Sequence, residues 1–418
     1  MKVIIKNFYL GDPIPMKKKS IIFVIDSLDC AGAEKSLVTL LSLLDYSTYS
    51  VDLMLFSHGN ILEELVPEDV KILKPLEYTK FTHLNFKKAI KYSIKKRDLK
   101  MLYSRLKYSV QLRKKQYNNR QKSRLFWESV SSVIEANPKK YDIAISYAQG
   151  VPTFYVAEKI KAKRKLAWVN VSYRLEEKEK QFQKDYYDKF DSIVAVSEST
   201  KKVFLETFPE YANVIKVVYD INNPAFIRKM ADIGIGFQDN FNGLKILTIG
   251  RLAPQKGYDI ALAACEKLIE AGIHFRWYAL GKGPLQEEIE NKIKERGLSD
   301  HFILLGVEAN PYPFIKGADI YVQTSKFEGF GLAIAEARML NVPVVTTEFD
   351  AVYNQMVQRK NGLVVDMNAE AVGNGIIELI QNKQLKEEII SYLRNEKKGN
   401  TEELAKFYEL VNYNESVS

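Results

Sequence analysis

Short apolar runs of strand length alternate with helical stretches in two successive series along this chain. In the first series Ile21–Asp26, Val51–Phe56, Val70–Ile72, Ile143–Ser146, Leu166–Val171 and Ile193–Val196 read as buried strands. The second holds Lys245–Ile249, Phe275–Leu280, Phe302–Leu305, Ile320–Gln323, Val344–Thr346 and Leu363–Val365. Helical patterns such as Ile260–Ala271, Gln286–Arg296 and Ala371–Gln381 lie between strands of the second series. Strands apolar on both faces and separated by helices call for parallel sheets covered on both sides. The break between the series is expected near Asn222–Gly243. There Asn222-Asn223-Pro224 leads into a Gly- and Asn-rich run, Gly234 to Gly243, with no sustained apolar period. The expected domains are 1–222 and 223–400.

At 418 residues the chain exceeds what one ordinary core holds, which agrees with two domains. Apolar content of 46% and charged content of 27% are those of a soluble globular protein. No apolar run approaches the roughly 18–20 residues of a membrane-spanning helix. The N-terminus lacks a signal peptide's apolar stretch and cleavage site. Cys30 and Cys265 stand far apart with no metal-like spacing, so buried thiols in a reducing, cytoplasmic setting are expected. Residues 1–18, with Val3-Ile4-Ile5, Pro13 and Pro15, read as an appended arm without assigned chemistry.

The formal charge of +9 is unevenly spread. Residues 80–124 hold sixteen Lys or Arg against one acid, Asp98, so the rest of the chain is net acidic. Within that segment Phe86, Ile90 and Ile94, then Leu102, Leu106 and Val110, recur at helical spacing. An apolar stripe flanked by cations suits a helix lying in an anionic membrane interface. The competing reading is a stripe that packs on the first domain beneath solvated cations. No nucleic-acid module accompanies the charge, so a nucleic-acid partner is not expected.

Ligands of open α/β sheets bind outside the carboxyl ends of strands, and the candidate motifs all sit there. Gly250-Arg251-Leu252-Ala253-Pro254-Gln255-Lys256-Gly257 follows one strand and places two cations five apart. Arg251 offers a planar fork to paired phosphate oxygens, and Lys256 a mobile point charge. Glu328-Gly329-Phe330-Gly331-Leu332-Ala333-Ile334-Ala335-Glu336 follows another strand, with two carboxylates around a glycine-hinged helix start. The amides of Phe330, Gly331 and Leu332 are candidate donors to phosphate and sugar. Glu336 lies among Leu332, Ala333, Ile334, Ala335 and Ala337, where an unpaired carboxylate is costly. Ala31-Gly32-Ala33-Glu34 opens a helix after the first strand. Glu34 reads equally as a ligand contact or as a helix-start carboxylate. Gly281-Lys282-Gly283-Pro284 lacks the third glycine and the ribose-binding acid of a dinucleotide fingerprint, which disfavours a nicotinamide enzyme.

The Gly250–Gly257 and Glu328–Glu336 motifs together resemble the retaining glycosyltransferases of family four, which share the GT-B fold. The resemblance covers about Leu244–Val365 closely, including Thr346-Thr347 and Asn361-Gly362-Leu363-Val364-Val365. It implies two Rossmann-like domains facing an interdomain cleft, with a C-terminal helix, about 401–418, returning to the first. Glu328 would stand by the donor sugar and, with Arg251 and Lys256, serve catalysis. Glu336 would accept from the nucleoside ribose, and Gly32 would lie in the glycine-rich loop near diphosphate and acceptor. The implied activity is a retaining hexosyltransferase that needs no cofactor beyond its nucleotide-sugar donor, most simply a UDP-sugar. The implied acceptor is a glycan or a polyprenyl-diphosphate-linked sugar in bacterial surface-polysaccharide or capsule synthesis. Such an enzyme would sit peripherally on the inner face of the cell membrane.

Two departures stand out. Asn170 occupies the strand end where related sequences often carry His, and Lys282 a position that is often acidic. No Asp-x-Asp pair presents itself to a divalent ion, so metal-independent chemistry is expected. A phosphorylase or hydrolase on the same fold, and a non-catalytic scaffold subunit, are the alternative functions.

Overall fold

The structure is a computed structural model. It describes residues 18–412 except residues 30–31, 97–98, 115, 171–174, 309, 329–330 and 351. Residues 1–17, Cys30, Val171, Gly329 and Phe330 therefore lie outside the described residues.

The first sheet has seven parallel strands: β1 (Lys19–Ile25), β2 (Tyr49–Leu55), β3 (Val70–Ile72), β4 (Lys140–Ser146), β5 (Lys161–Val169), β6 (Ser192–Ala195) and β7 (Ile215–Val217). Their spatial order is β3-β2-β1-β4-β5-β6-β7. The second has six: β8 (Leu244–Ile249), β9 (Phe275–Leu280), β10 (Phe302–Gly306), β11 (Ile320–Gln323), β12 (Val344–Thr347) and β13 (Gly362–Val365). These run in the order β10-β9-β8-β11-β12-β13, again all parallel. Alternate residues of each strand enter opposite cores. In β1, Ile22 and Val24 join one apolar cluster, and Ile21, Phe23 and Ile25 the other. In β8, Ile246 and Leu247 divide in the same way.

Two elements differ from the expected pattern. β7 is a three-residue strand, too short for its period to register in sequence. Pro224–Ile233, inside the expected break, is a helix. Asn223 caps it, accepting from the amides of Ala225 and Phe226, and Pro224 takes its first position. Ile227, Met230 and Ala231, spaced three and four apart, bury against the second sheet's core.

The chain crosses between the sheets twice. Near residue 400 it returns, and the Glu403–Asn412 helix packs on the first domain, with Phe407 and Val411 fully buried. The Phe407 ring stacks on Phe23 at 6.2 Å. The crossings are laced together. The Asn222 amide donates to Asn400 Oδ1 at 2.8 Å, and Asn400 Nδ2 donates to the Asp220 carbonyl at 3.0 Å. Among the described residues no helix is long and apolar enough to cross a membrane.

Candidate functional site

Strand order reverses direction between β1 and β4 in the first sheet and between β8 and β11 in the second. Crevices at such points are where open α/β sheets take ligands. A cleft of about 1490 Å³ runs between the domains there, lined by Gly32, Asn170 and Asp220 on one side and Arg251, Lys256, Glu328 and Glu336 on the other.

The β8 and β11 loops are built as one unit. Thr324 Oγ1 donates to the Lys256 carbonyl at 2.9 Å, and the Lys326 amide to the Gln255 carbonyl at 2.8 Å. The Gly250 loop is also pressed by the next one. Gly281 has φ +148°, and a Cβ on it would stand 2.0 Å from the Gly250 carbonyl oxygen, so only glycine fits. Within this frame Lys256 Nζ lies 2.5 Å from Glu328 Oε1. That oxygen also accepts from Ser325 Oγ at 2.7 Å and from Gln323 Nε2 at 3.1 Å. The Tyr321 hydroxyl in turn donates to Gln323 Oε1 at 2.5 Å. Oε2 of Glu328 makes no hydrogen bond among the described residues. Arg251 is exposed on the cleft wall, and no ion pair engages it among the described residues.

Gly331, with φ +80° and ψ +56°, turns the chain into the Leu332–Met339 helix, a left-handed conformation that favours glycine. Glu336 on that helix is 4% exposed. Its Oε1 accepts from the Tyr312 hydroxyl at 3.1 Å and from Lys35 Nζ at 3.5 Å, while the buried Oε2 has no partner among the described residues. Buried polar oxygens are ordinarily hydrogen-bonded, so Oε2 is open to a donor from the cleft.

The first domain brings the start of the Gly32–Leu43 helix to the same place. A Cβ on Gly32 would stand 3.4 Å from Leu332 Cδ1. Burial, with Asp29 nearby, raises the Glu34 carboxyl above its ordinary range, and Glu34 Oε2 has no partner among the described residues. Asn170 Nδ2 donates to the Tyr147 carbonyl at 2.7 Å, which leaves its buried Oδ1 unsatisfied. Lys282 crosses the cleft mouth to Asp29 at 3.4 Å. Among the described residues no three His, Cys, Asp or Glu side chains cluster to hold a metal ion.

The structure thus places Arg251, Lys256, Glu328, Gly331, Leu332, Glu336 and Gly32 around one cleft; Phe330 lies outside the described residues. Sequence reasoning missed Gln323 and Ser325, although a polar run after a buried strand is a readable signal. It also missed Tyr312 and Lys35, which no local pattern marks.

Residues 238–396 match the family model for glycosyl transferases group 1. One relative is the Campylobacter jejuni N-acetylgalactosamine-N,N'-diacetylbacillosaminyl-diphospho-undecaprenol 4-alpha-N-acetylgalactosaminyltransferase, 25% identical over 202 residues, 48% of this chain and 53% of that protein. The chain spans about half the length of the curated relatives it matches. Among solved structures, S. aureus TarM with UDP superposes with a TM-score of 0.64 at 16% identity, covering 94% of this chain and 100% of that one. Anabaena HepE with UDP and glucose gives a TM-score of 0.60 at 18% identity, covering 90% and 93%. The chain therefore has the GT-B fold of two-domain glycosyltransferases, and its second domain carries the stretch that matches the glycosyl transferases group 1 family.

Proposed function

We propose that this protein transfers a sugar from a nucleotide sugar, a UDP-sugar, to a glycan or lipid-linked acceptor in surface-polysaccharide synthesis, with retention of configuration and without a metal ion. The observation that carries this reading is the switch-point cluster: Arg251 exposed at the cleft, Lys256 on Glu328, and Glu336 Oε2, which has no partner among the described residues. Arg251 and Lys256 would bind the diphosphate and stabilise the charge that grows on it as the glycosidic C–O bond breaks. Glu328, with Oε1 satisfied by three donors, would offer Oε2 to a donor-sugar hydroxyl. Glu336 Oε2 would accept from a nucleoside ribose hydroxyl. The acceptor oxygen would attack on the face the diphosphate leaves, passing its proton to the departing phosphate oxygen, so configuration is kept without an enzyme nucleophile. HepE with UDP and glucose, TarM with UDP and the diphospho-undecaprenol relative support the donor and acceptor classes. A scaffold subunit would have no use for the four-residue network around Glu328.

The acceptor side of the proposal includes an anionic membrane surface. In the Phe86–Lys96 and Lys100–Leu112 helices Ala89, Ser93 and Ser104 are buried, Tyr92, Met101 and Leu102 pack on the first domain's core, and Ile90 is half-buried, so Ile90 and Leu102 of the expected stripe turn inward. Phe86, Ile94, Tyr103, Leu106 and Val110, with Leu99 between the helices, stand 42–69% exposed. Large exposed apolar groups concentrated in this one segment support a docking surface. Lys87, Lys88, Lys91, Lys95 and Lys96 surround them, which favours an anionic lipid interface over an apolar protein partner.

A panel of nucleotide sugars, read by thermal stabilisation and by donor hydrolysis, tests the reading. UDP-sugars should raise the melting temperature and release UDP. A panel in which no nucleotide sugar shifts the melt would refute the donor assignment, and release of sugar phosphate would favour a phosphorylase.

A further inference from the structure

Glu336 stands on the second domain, yet the cation beside it comes from the first. Lys35 projects from the Gly32–Leu43 helix to place Nζ 3.5 Å from Glu336 Oε1 and 5.8 Å from the centroid of the Tyr312 ring. Among the described residues it is the only cation paired with this carboxylate. The other donor to Glu336, Tyr312, is neutral. A carboxylate this enclosed needs a counter-charge, and removing the partner of a buried charge is strongly unfavourable. The contact belongs to a wider meeting of two helix starts, since Gly32 lies against Leu332 three residues before Lys35.

We infer that Lys35 is a positioning residue supplied by the first domain to complete the nucleoside site of the second. It compensates Glu336 and occupies Oε1 together with Tyr312, so that Oε2 remains the free acceptor for a ligand hydroxyl. The inference rests on the proposed role of Glu336 toward the donor. It adds that tight nucleoside binding requires both domains, although every other nucleoside-side group named here lies in the second.

Calorimetry with UDP on the full chain tests this, comparing wild type with Lys35→Met, Lys35→Arg and Glu336→Gln, each checked by thermal melting. Loss of a charge-assisted contact predicts about tenfold weaker UDP binding in Lys35→Met, with most of it restored in Lys35→Arg. In steady state the donor KM should rise with Lys35→Met while kcat stays within about threefold. If Lys35→Met binds UDP as wild type does while Glu336→Gln is weakened, the inference fails and the donor reading stands. If neither variant is weakened, the role of Glu336 fails and takes this inference with it; if wild type binds no UDP, the donor reading itself fails. A fall in kcat at unchanged KM would place Lys35 with the acceptor instead and overturn the inference. Should Lys35→Met not melt cooperatively, Lys35→Gln is judged by the same outcomes.

Discussion

Lys256 Nζ lies 2.5 Å from Glu328 Oε1, so the two charged residues at the centre of the cleft are partners before any ligand arrives. Both are largely buried, with side chains 15% and 12% exposed. The pair sets the negative charge of one against the positive charge of the other where phosphate and sugar are proposed to meet. A diphosphate would draw on Lys256 and free Glu328 to follow the sugar.

Breaking this pair should therefore cost stability as well as activity. Lys256→Ala leaves Glu328 with only Ser325 and Gln323, and should destabilise the fold by about 3 kcal/mol, the low end for a buried pair. Adding Glu328→Gln should recover part of that loss, a coupling read from denaturant unfolding of the double-mutant cycle. Arg251→Ala, exposed and unpaired, should leave stability within about 0.5 kcal/mol and weaken UDP binding about tenfold.

Turnover should survive chelation. Arg251 and Lys256 supply cationic charge at the proposed diphosphate position. Activity in EDTA should match untreated enzyme; loss on chelation with recovery on adding magnesium or manganese would contradict this.

The Asn222–Asn400 contact should hold the two interdomain crossings together. Asn400→Ala deletes the acceptor of the Asn222 amide and the donor to the Asp220 carbonyl. Asn222 is buried, so an unsatisfied amide should cost about 1–3 kcal/mol. Small-angle scattering of the folded variant should also show a broader spread of domain separations.

Asp220 should make stability fall as pH rises. Burial raises its carboxyl to about 6, with the Ser36 hydroxyl opposing part of the shift. Between roughly pH 4 and 6 the folded state then holds more proton than the unfolded state, and the full penalty is present above about 6. Asp220→Asn should gain on the order of 1 kcal/mol over wild type at pH 8, discounted for partial exposure, and nothing near pH 4. Melting temperatures across that range would show it.

The basic helices should bind vesicles of anionic lipid, and the binding should weaken with salt. Replacing Lys87, Lys88, Lys91 and Lys95 by Glu should abolish sedimentation with phosphatidylserine vesicles. Phe86→Ser with Ile94→Ser should weaken it without altering donor hydrolysis. Equal binding to neutral vesicles would overturn the electrostatic part of the proposal.

Much of the architecture was legible because it rests on local periodicity. Twelve strand positions could be read from runs such as Ile21–Ile25, whose alternate residues feed two cores. The Pro224–Ile233 helix escaped because only three of its residues are buried, and they gain meaning from the second sheet beneath them. The sequence left the facing of the basic helices open between a membrane surface and the first domain's core. Apolar residues at helical spacing look the same whether they face a core or solvent, and only the packing shows that Leu102 turns to the first domain's core while Phe86, Ile94, Leu106 and Val110 stay exposed.

By itself the sequence determined two parallel α/β sheets and the loops after β8 and β11. Strand length, turn glycines and charged residues at strand ends are short-range properties. Tertiary structure alone decided the pairings across long separations. Lys256 and Glu328 are 72 residues apart, Asn222 and Asn400 178, and Lys35 and Glu336 301. Such contacts depend on how one sheet is set against the other, and that setting is the sum of many weak burial terms rather than a property of either partner's neighbours in sequence.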